Sequence, residues 1–182
     1  MNVLFNESRG CWIRTLGIGD VHVSTTDEVL TTLLGSCVAA CIYDEGLGCG
    51  GMNHFLLPES ESLSHPRFGI HAMELLISRM LARGSRRKDL RFKIFGGSNV
   101  LEGMPDVGTK NCQFIERYLE SESFQITARD LGGPHARRIE FTPSNGRVRV
   151  KRLQLSSLKL MAEVDYSRRT PEESPGVEFF VP

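Results

Sequence analysis

Residues 35–58 read Gly-Ser-Cys-Val-Ala-Ala-Cys-Ile-Tyr-Asp-Glu-Gly-Leu-Gly-Cys-Gly-Gly-Met-Asn-His-Phe-Leu-Leu-Pro, and the fold turns on how they pair. Two short apolar runs, Cys37 to Tyr43 and Gly51 to Leu57, are fenced by Gly35, Asp44-Glu45-Gly46 and Pro58. Runs of this length bounded by glycine and proline favour strands over helices, so the stretch predicts a β-hairpin. A turn centred between Glu45 and Gly46 pairs Cys37 with His54. Directly opposed residues of an antiparallel pair share a face, with Cβ atoms about 4.5–5.5 Å apart. A bulge among Gly46, Gly48, Gly50 and Gly51 would shift that pair.

A thiol beside an imidazole has a definite chemistry. A free cysteine has a pKa near 8.5, so about a few per cent is thiolate at neutral pH, and a neighbouring histidine can raise that share or take the proton. The thiolate attacks a carbonyl and the histidine protonates the leaving group. A third polar group commonly orients the imidazole. By proximity, Thr31, Thr32 and Asn53 are candidates. Backbone N–H groups of the Gly35-Ser36-Cys37 bend could receive an oxyanion, because glycine permits the sharp turn. Against this, cysteine is among the most buried residue types, so a lone strand cysteine is ordinarily a small core residue. A zinc site of Cys37, Cys41, Cys49 and His54 conflicts with the strand. Cys37 and Cys41 would stand roughly 13 Å apart, too far for one metal.

Outward from the hairpin, Leu16 to Val23 alternates weakly and predicts a first strand interrupted by glycines, while Thr25 to Leu34 stays open between helical turn and loop. Residues 1–15 are expected to be a loosely ordered lead-in. Helical spacing of Phe68, Ala72, Met73, Leu76, Ile77, Met80 and Leu81 predicts a helix from Pro66 to about Arg83. Leu90 to Phe95 predicts a strand ending in Gly96-Gly97. A second helix near Lys110 to Ser121 carries Cys112, Ile115 and Leu119 on one stripe. Phe124 to Ala128 is a strand, and Arg138–Phe141 and Arg147–Lys151 flank Ser144-Asn145-Gly146 as a further hairpin. The alternation implies an α+β domain of sheets covered by helices, spanning residues 16–153. Residues 154–182 form an extension, with a polar, proline-punctuated linker over 167–175 and an apolar tip at Val177 to Val181.

The bulk composition excludes little. With 22 basic and 22 acidic residues among 182, the formal charge is zero, so no electrostatic case arises for nucleic acid or a membrane surface. The cluster Arg83, Arg86, Arg87, Lys88 falls at a helix end, where cations are favoured by the dipole. No run reaches the roughly 20 apolar residues of a membrane span, and the start lacks a signal-peptide pattern, so the expectation is a cytoplasmic protein. Five cysteines without a CxxC pair argue against a disulfide framework.

Leu34-Gly35-Ser36-Cys37-Val38-Ala39 followed by Gly50-Gly51-Met52-Asn53-His54-Phe55-Leu56-Leu57-Pro58 closely resembles the signature of the CheD family. The resemblance takes in Ile18-Gly19-Asp20, Phe68-Gly69, Lys93 to Gly97 and Asp130 to Gly133, and covers about residues 16–153. It implies a protein-glutamine deamidase that converts glutamines on chemoreceptor cytoplasmic helices to glutamate, releasing ammonia through a cysteine thioester. The implied fold is a sandwich of mixed sheets with flanking helices, shared with toxin-type cysteine deamidases. The family's Cys falls on Cys37, its His on His54 and its catalytic Thr on Thr31, with Thr32 the neighbour. Gly35, Ser36 and Asn53 would support the site. No metal or organic cofactor is implied. The implied partners are chemoreceptors and a CheC-type phosphatase that competes for the protein. Ala136 stands where that pattern has glycine, and His22, His65, His71 and His135 match no catalytic position. Two rivals remain: a non-catalytic chemotaxis adaptor, and a cysteine protease with the same nucleophile and base.

Overall fold

The computed structural model describes residues 1–57, 67–99 and 107–153. The apolar tip at 177–181 and the linker before it lie outside the described residues. Among the described residues, ten strands form two five-stranded sheets. The first has the order β1 (Asn2–Asn6), β2 (Cys11–Thr15), β4 (Glu28–Leu34), β9 (Ala136–Thr142), β10 (Arg147–Leu153). The second has the order β3 (Val21–Ser24), β6 (Cys49–Asn53), β5 (Val38–Asp44), β7 (Arg91–Gly96), β8 (Gln125–Leu131). Both mix parallel and antiparallel neighbours, since β2 runs parallel to β4 and β7 to β8. Helices α1 (Arg67–Leu81) and α2 (Val107–Ser121) give the described residues a mixed α+β fold.

Side-chain alternation sorts the core into two clusters. Val38, Ala40 and Ile42 of β5 point toward α1 and α2, joining Met73, Leu76, Met80, Ile115 and Leu119. Ala39 and Cys41 point the other way, into a cluster with Leu30, Leu34, Ile139 and Phe141 of the first sheet. β5 is therefore buried on both faces, which explains why its sequence is a continuous apolar run rather than an alternating one. Glu28 joins β2 to β3: its carboxylate takes Arg14 Nε at 2.9 Å and His22 Nε2 at 2.8 Å. Burial raises the pKa of that carboxyl, but hydrogen bonds from Ser24, His22 and Arg14 outweigh it and hold the group below its usual value.

Several expectations are revised. The lead-in over residues 1–15 forms the β1–β2 hairpin, its turn held by Asn6 Oδ1 accepting from Arg9 N at 3.0 Å, with Phe5 and Trp12 edge to face at 5.2 Å. The open stretch before Gly35 is strand β4, and the first-strand region begins only at Val21, because Leu16–Asp20 is a loop. Phe68 is 60% exposed and so is no core residue. On α2 the buried stripe is Gly108, Asn111, Ile115 and Leu119, not one through Cys112. The Arg86–Arg87 cluster is paired off, Arg86 with Asp89 and Arg87 with Glu122. Among the described residues no helix is long and apolar enough to cross a membrane.

Candidate active site

The hairpin register differs from the expected one by an even step. Cys41 faces Met52 rather than Gly50, and a bridge joins Val38 to Phe55. The turn is longer than expected, running through Glu45-Gly46-Leu47-Gly48, with Gly48 at φ +59° and its N–H on Glu45 O. Because side chains alternate with period two, a shift of two positions keeps every residue on its face. Cys37 and His54 therefore still share the face directed at the first sheet. They stand as diagonal rather than directly opposed neighbours, a relation of about 7–8 Å between Cα atoms.

Cys37 lies in the sharp connection from β4 to β5, and its backbone is bound on three sides. Gly35 O accepts from Ser98 N at 2.8 Å, Cys37 O from Gly97 N at 2.7 Å, and Ser36 O from Asn111 Nδ2 at 3.0 Å. The close approach of the β7 end demands glycine. A Cβ on Gly96 would lie 2.1 Å from Cys37 O, and that residue has φ +115°. Val38 N and Phe55 O, 3.0 Å apart, close the other side. Asn111 also accepts from Leu57 N at 2.9 Å, so one amide clasps the segment after His54 to the bend before Cys37. Arg137, 2% exposed, donates to Gly96 O at 2.6 Å, Asp130 O at 2.8 Å and Gly132 O at 2.6 Å, bracing the β7 end from beneath.

His54 is positioned by the loop before β3. Its N–H donates to Asp20 O at 3.0 Å and its carbonyl accepts from Gly19 N at 2.7 Å. The ring is fixed by Thr32, whose Oγ1 lies 2.8 Å from His54 Nδ1 and 2.8 Å from Leu16 O. A hydroxyl has one proton, and Leu16 O can only accept. Thr32 therefore donates to Leu16 O, and His54 Nδ1–H donates to Thr32. That tautomer leaves a lone pair on Nε2, which is buried and has no hydrogen-bond partner among the described residues. Such an atom is costly in a core and suited to a base.

Thr31, expected to orient the imidazole, points to the opposite face of β4, where its hydroxyl donates to Ile139 O at 2.8 Å. The contact with His54 belongs to Thr32. Asn53 likewise points away from Cys37: Oδ1 accepts from Ala40 N at 2.9 Å and Nδ2 donates to Ala72 O at 3.1 Å, tying β5 to α1. It braces the hairpin and is not placed to meet an oxyanion. Cys41 faces the first sheet, whereas Cys49 turns to the helices with Sγ 3.7 Å from Met80 Sδ. Asn111 and Arg137 were not expected. The usable signal for Asn111 was a polar residue within the buried stripe of α2. Arg137 had only a run of glycines before it.

Burial sets the charge state. Cys37 is 9% exposed, and desolvation pushes its thiol up to about 11, with its own backbone N–H opposing slightly. Desolvation also lowers His54, against the raising effects of Leu16 O and Asp20. Both shifts favour the uncharged forms, thiol and imidazole, at neutral pH.

The fold and site define a two-sheet α+β protein with a buried cysteine–histidine pair at the end of a strand hairpin. The family model of CheD chemotactic sensory transduction matches residues 56–152. A relative from Ralstonia nicotianae, named a probable chemoreceptor glutamine deamidase, is 45% identical over 160 residues, covering 83% of this chain and 69% of its own. One of the same name from Caulobacter vibrioides is 45% identical over 164 residues, covering 87% and 86%. Another from Halorhodospira halophila is 46% identical over 145 residues, covering 74% and 67%. The chain belongs to the CheD family.

Proposed function

We propose that this protein deamidates glutamine side chains on chemoreceptor cytoplasmic helices, with Cys37 as nucleophile, His54 as base and acid, and Thr32 as the residue that orients the imidazole. The observation that carries the reading is the bare, buried Nε2 of His54 on the face it shares with Cys37, its tautomer set by Thr32. His54 Nε2 takes the thiol proton as Sγ bonds to the carboxamide carbon. The C–N bond then breaks and His54 returns the proton to departing ammonia, leaving a thioester. Water attacks the thioester, His54 accepts its proton, the C–S bond breaks and the thiol is restored. Glutamine and water become glutamate and ammonium. Neutral resting groups mean that proton transfer accompanies attack, which spares the thiol from adventitious alkylation and oxidation between turnovers.

The sandwich reading of the two sheets, a likeness to toxin-type cysteine deamidases, a cytoplasmic location and a CheC-type phosphatase as competing partner belong to the same proposal. The core cluster drawn from both sheets supports the sandwich, and the other three rest on the family resemblance alone. The test is ammonia release with mass spectrometry of a chemoreceptor cytoplasmic fragment. Wild type should convert glutamine to glutamate, and Cys37→Ala and His54→Ala should not. Equal conversion by Cys37→Ala would sink the mechanism, and cut chains would indicate a protease.

A further inference from the structure

The edge strand β10 carries Arg147, Arg149 and Lys151 on one face, all exposed, on the side of the first sheet opposite buried Ile139 and Phe141. Across from them on β9 stand Thr142, Glu140 and exposed Arg138 respectively. Arg138 and Lys151 are thus like charges directly opposed on one rung, an arrangement that destabilises a sheet. The acid on this face, Glu140, is engaged by Arg9 at 3.0 Å. Among the described residues, single cations such as Arg83, Lys88 and Arg117 also form no ion pair, but Arg138, Arg147, Arg149 and Lys151 stand together on one sheet face without one. Charged side chains protect an edge strand from pairing, which accounts for cations on β10 but not for Arg138 on the inner strand β9. Four unpaired cations, two of them mutually repelling, in a chain of zero formal charge ask for an anionic partner.

A segment lying over a sheet face cannot join the ladder and must satisfy its own backbone hydrogen bonds, as a helix does. Alternate residues of a strand are about 6.8 Å apart, and residues i and i+4 of a helix about 6 Å. The row Arg147, Arg149, Lys151 therefore matches a stripe of carboxylates at i, i+4 and i+8 along one helix. The row also leads toward the site, because Arg138 pairs with Leu33, and β4 passes from there into Gly35-Ser36-Cys37.

We infer that the outer face of β9 and β10 is a docking surface for an acidic α-helix of a partner protein, bound through Arg138, Arg147, Arg149 and Lys151. That the helix belongs to the chemoreceptor substrate rests on the function proposed above; the dock itself does not.

The test compares wild type with Arg138→Gln/Arg149→Gln/Lys151→Gln, and with Arg83→Gln/Lys88→Gln/Arg117→Gln as a control for net charge. Probes are a chemoreceptor cytoplasmic fragment and two synthetic helical peptides, one with Glu at i, i+4 and i+8 and one with Gln there. The triple variant should bind the fragment at least about tenfold more weakly, with a flatter salt dependence, while the control stays near wild type. The rate of Cys37 alkylation by iodoacetamide should be unchanged, showing an intact site. Wild type should prefer the Glu peptide to the Gln peptide, a comparison that stands even if the triple variant folds poorly. Equal affinity for the two peptides, equal losses in the variant and the control, or no binding of any probe by wild type would each overturn the dock. Tight fragment binding without deamidation would overturn the deamidase reading alone.

Discussion

Thr32 Oγ1 accepts from His54 Nδ1 at 2.8 Å, while Thr31, one residue earlier, faces the other side of the same strand and is bonded to Ile139 O. The alternation of β4 thus separates two adjacent threonines into different roles. Thr32→Val keeps the shape but removes the acceptor that holds the tautomer, so kcat should fall by about 10- to 100-fold, within the range of general-base effects. Thr32→Ser should stay within about threefold of wild type, and Thr31→Val should change kcat by less than about twofold, on the same argument. Ammonia release at saturating receptor fragment decides it; a larger loss in Thr31→Val than in Thr32→Val would reverse the assignment.

The buried thiol predicts an unusual alkaline profile. Since Cys37 is raised to about 11, its alkylation by iodoacetamide should climb about tenfold per pH unit through pH 10 and level off only near pH 11. The unfolded chain should level off near pH 9. The same shift acts on stability. The folded pKa exceeds the unfolded one, so the contribution is fully present below about pH 9 and is lost as pH rises toward about 11. For His54 the sign is opposite, because burial lowers the pKa of a base. Its contribution is present above pH 6.5, the ordinary histidine value, and is lost as pH falls through the lowered one. Cys37→Ala should make the alkaline limb of the denaturation midpoint less steep, the raised Cys41, Cys49 and Tyr118 keeping the remainder, and leave the acid limb in place.

How much of this was legible beforehand depends on what each residue had to signal. The β5–β6 hairpin could be read because Val38 to Tyr43 is short, apolar and fenced by turn residues. The face shared by Cys37 and His54 survived a wrong turn length only because the shift was even. The residues alone left Thr31 and Thr32 open and the resemblance chose Thr31, because separating them needs the register of β4 against β9, set by contacts about a hundred residues away. The β1–β2 hairpin escaped because both its faces are largely exposed, which erases the alternation that marks a half-buried strand. Asn111 looked like one polar residue among others, and its value lies in two backbone groups that only tertiary folding brings to it.

Gly96 should tolerate no side chain. The added methyl of Gly96→Ala would meet Cys37 O at 2.1 Å in a backbone conformation with φ +115°. Backbone strain and overpacking together should cost about 2–5 kcal/mol. The obstructing atom is a carbonyl held by Gly97 N, so relief requires moving the cysteine itself. Urea denaturation should show the lost stability, and ammonia release from the folded fraction should fall further than stability accounts for. A variant of wild-type stability and rate would mean that the Cys37 bend is looser than its hydrogen bonds indicate.

Asn111 offers a way to separate positioning from stability. Its side chain donates to Ser36 O and accepts from Leu57 N, so it fixes the spacing of the segments that carry Cys37 and His54. Asn111→Asp keeps the acceptor for Leu57 N but removes the donor and sets an anion in a fully buried site, whereas Asn111→Ala removes both bonds and leaves space. Each unmet buried partner costs about 1–3 kcal/mol, and the two variants should be similarly destabilised. They should differ at the site. The alanine variant lets both segments relax, so iodoacetamide should reach Cys37 several-fold faster while ammonia release falls by about tenfold or more, the penalty of imperfect alignment. Faster alkylation with slower turnover is the signature of lost positioning. If both rates instead fell in proportion to the folded fraction, Asn111 would be a packing residue and no more.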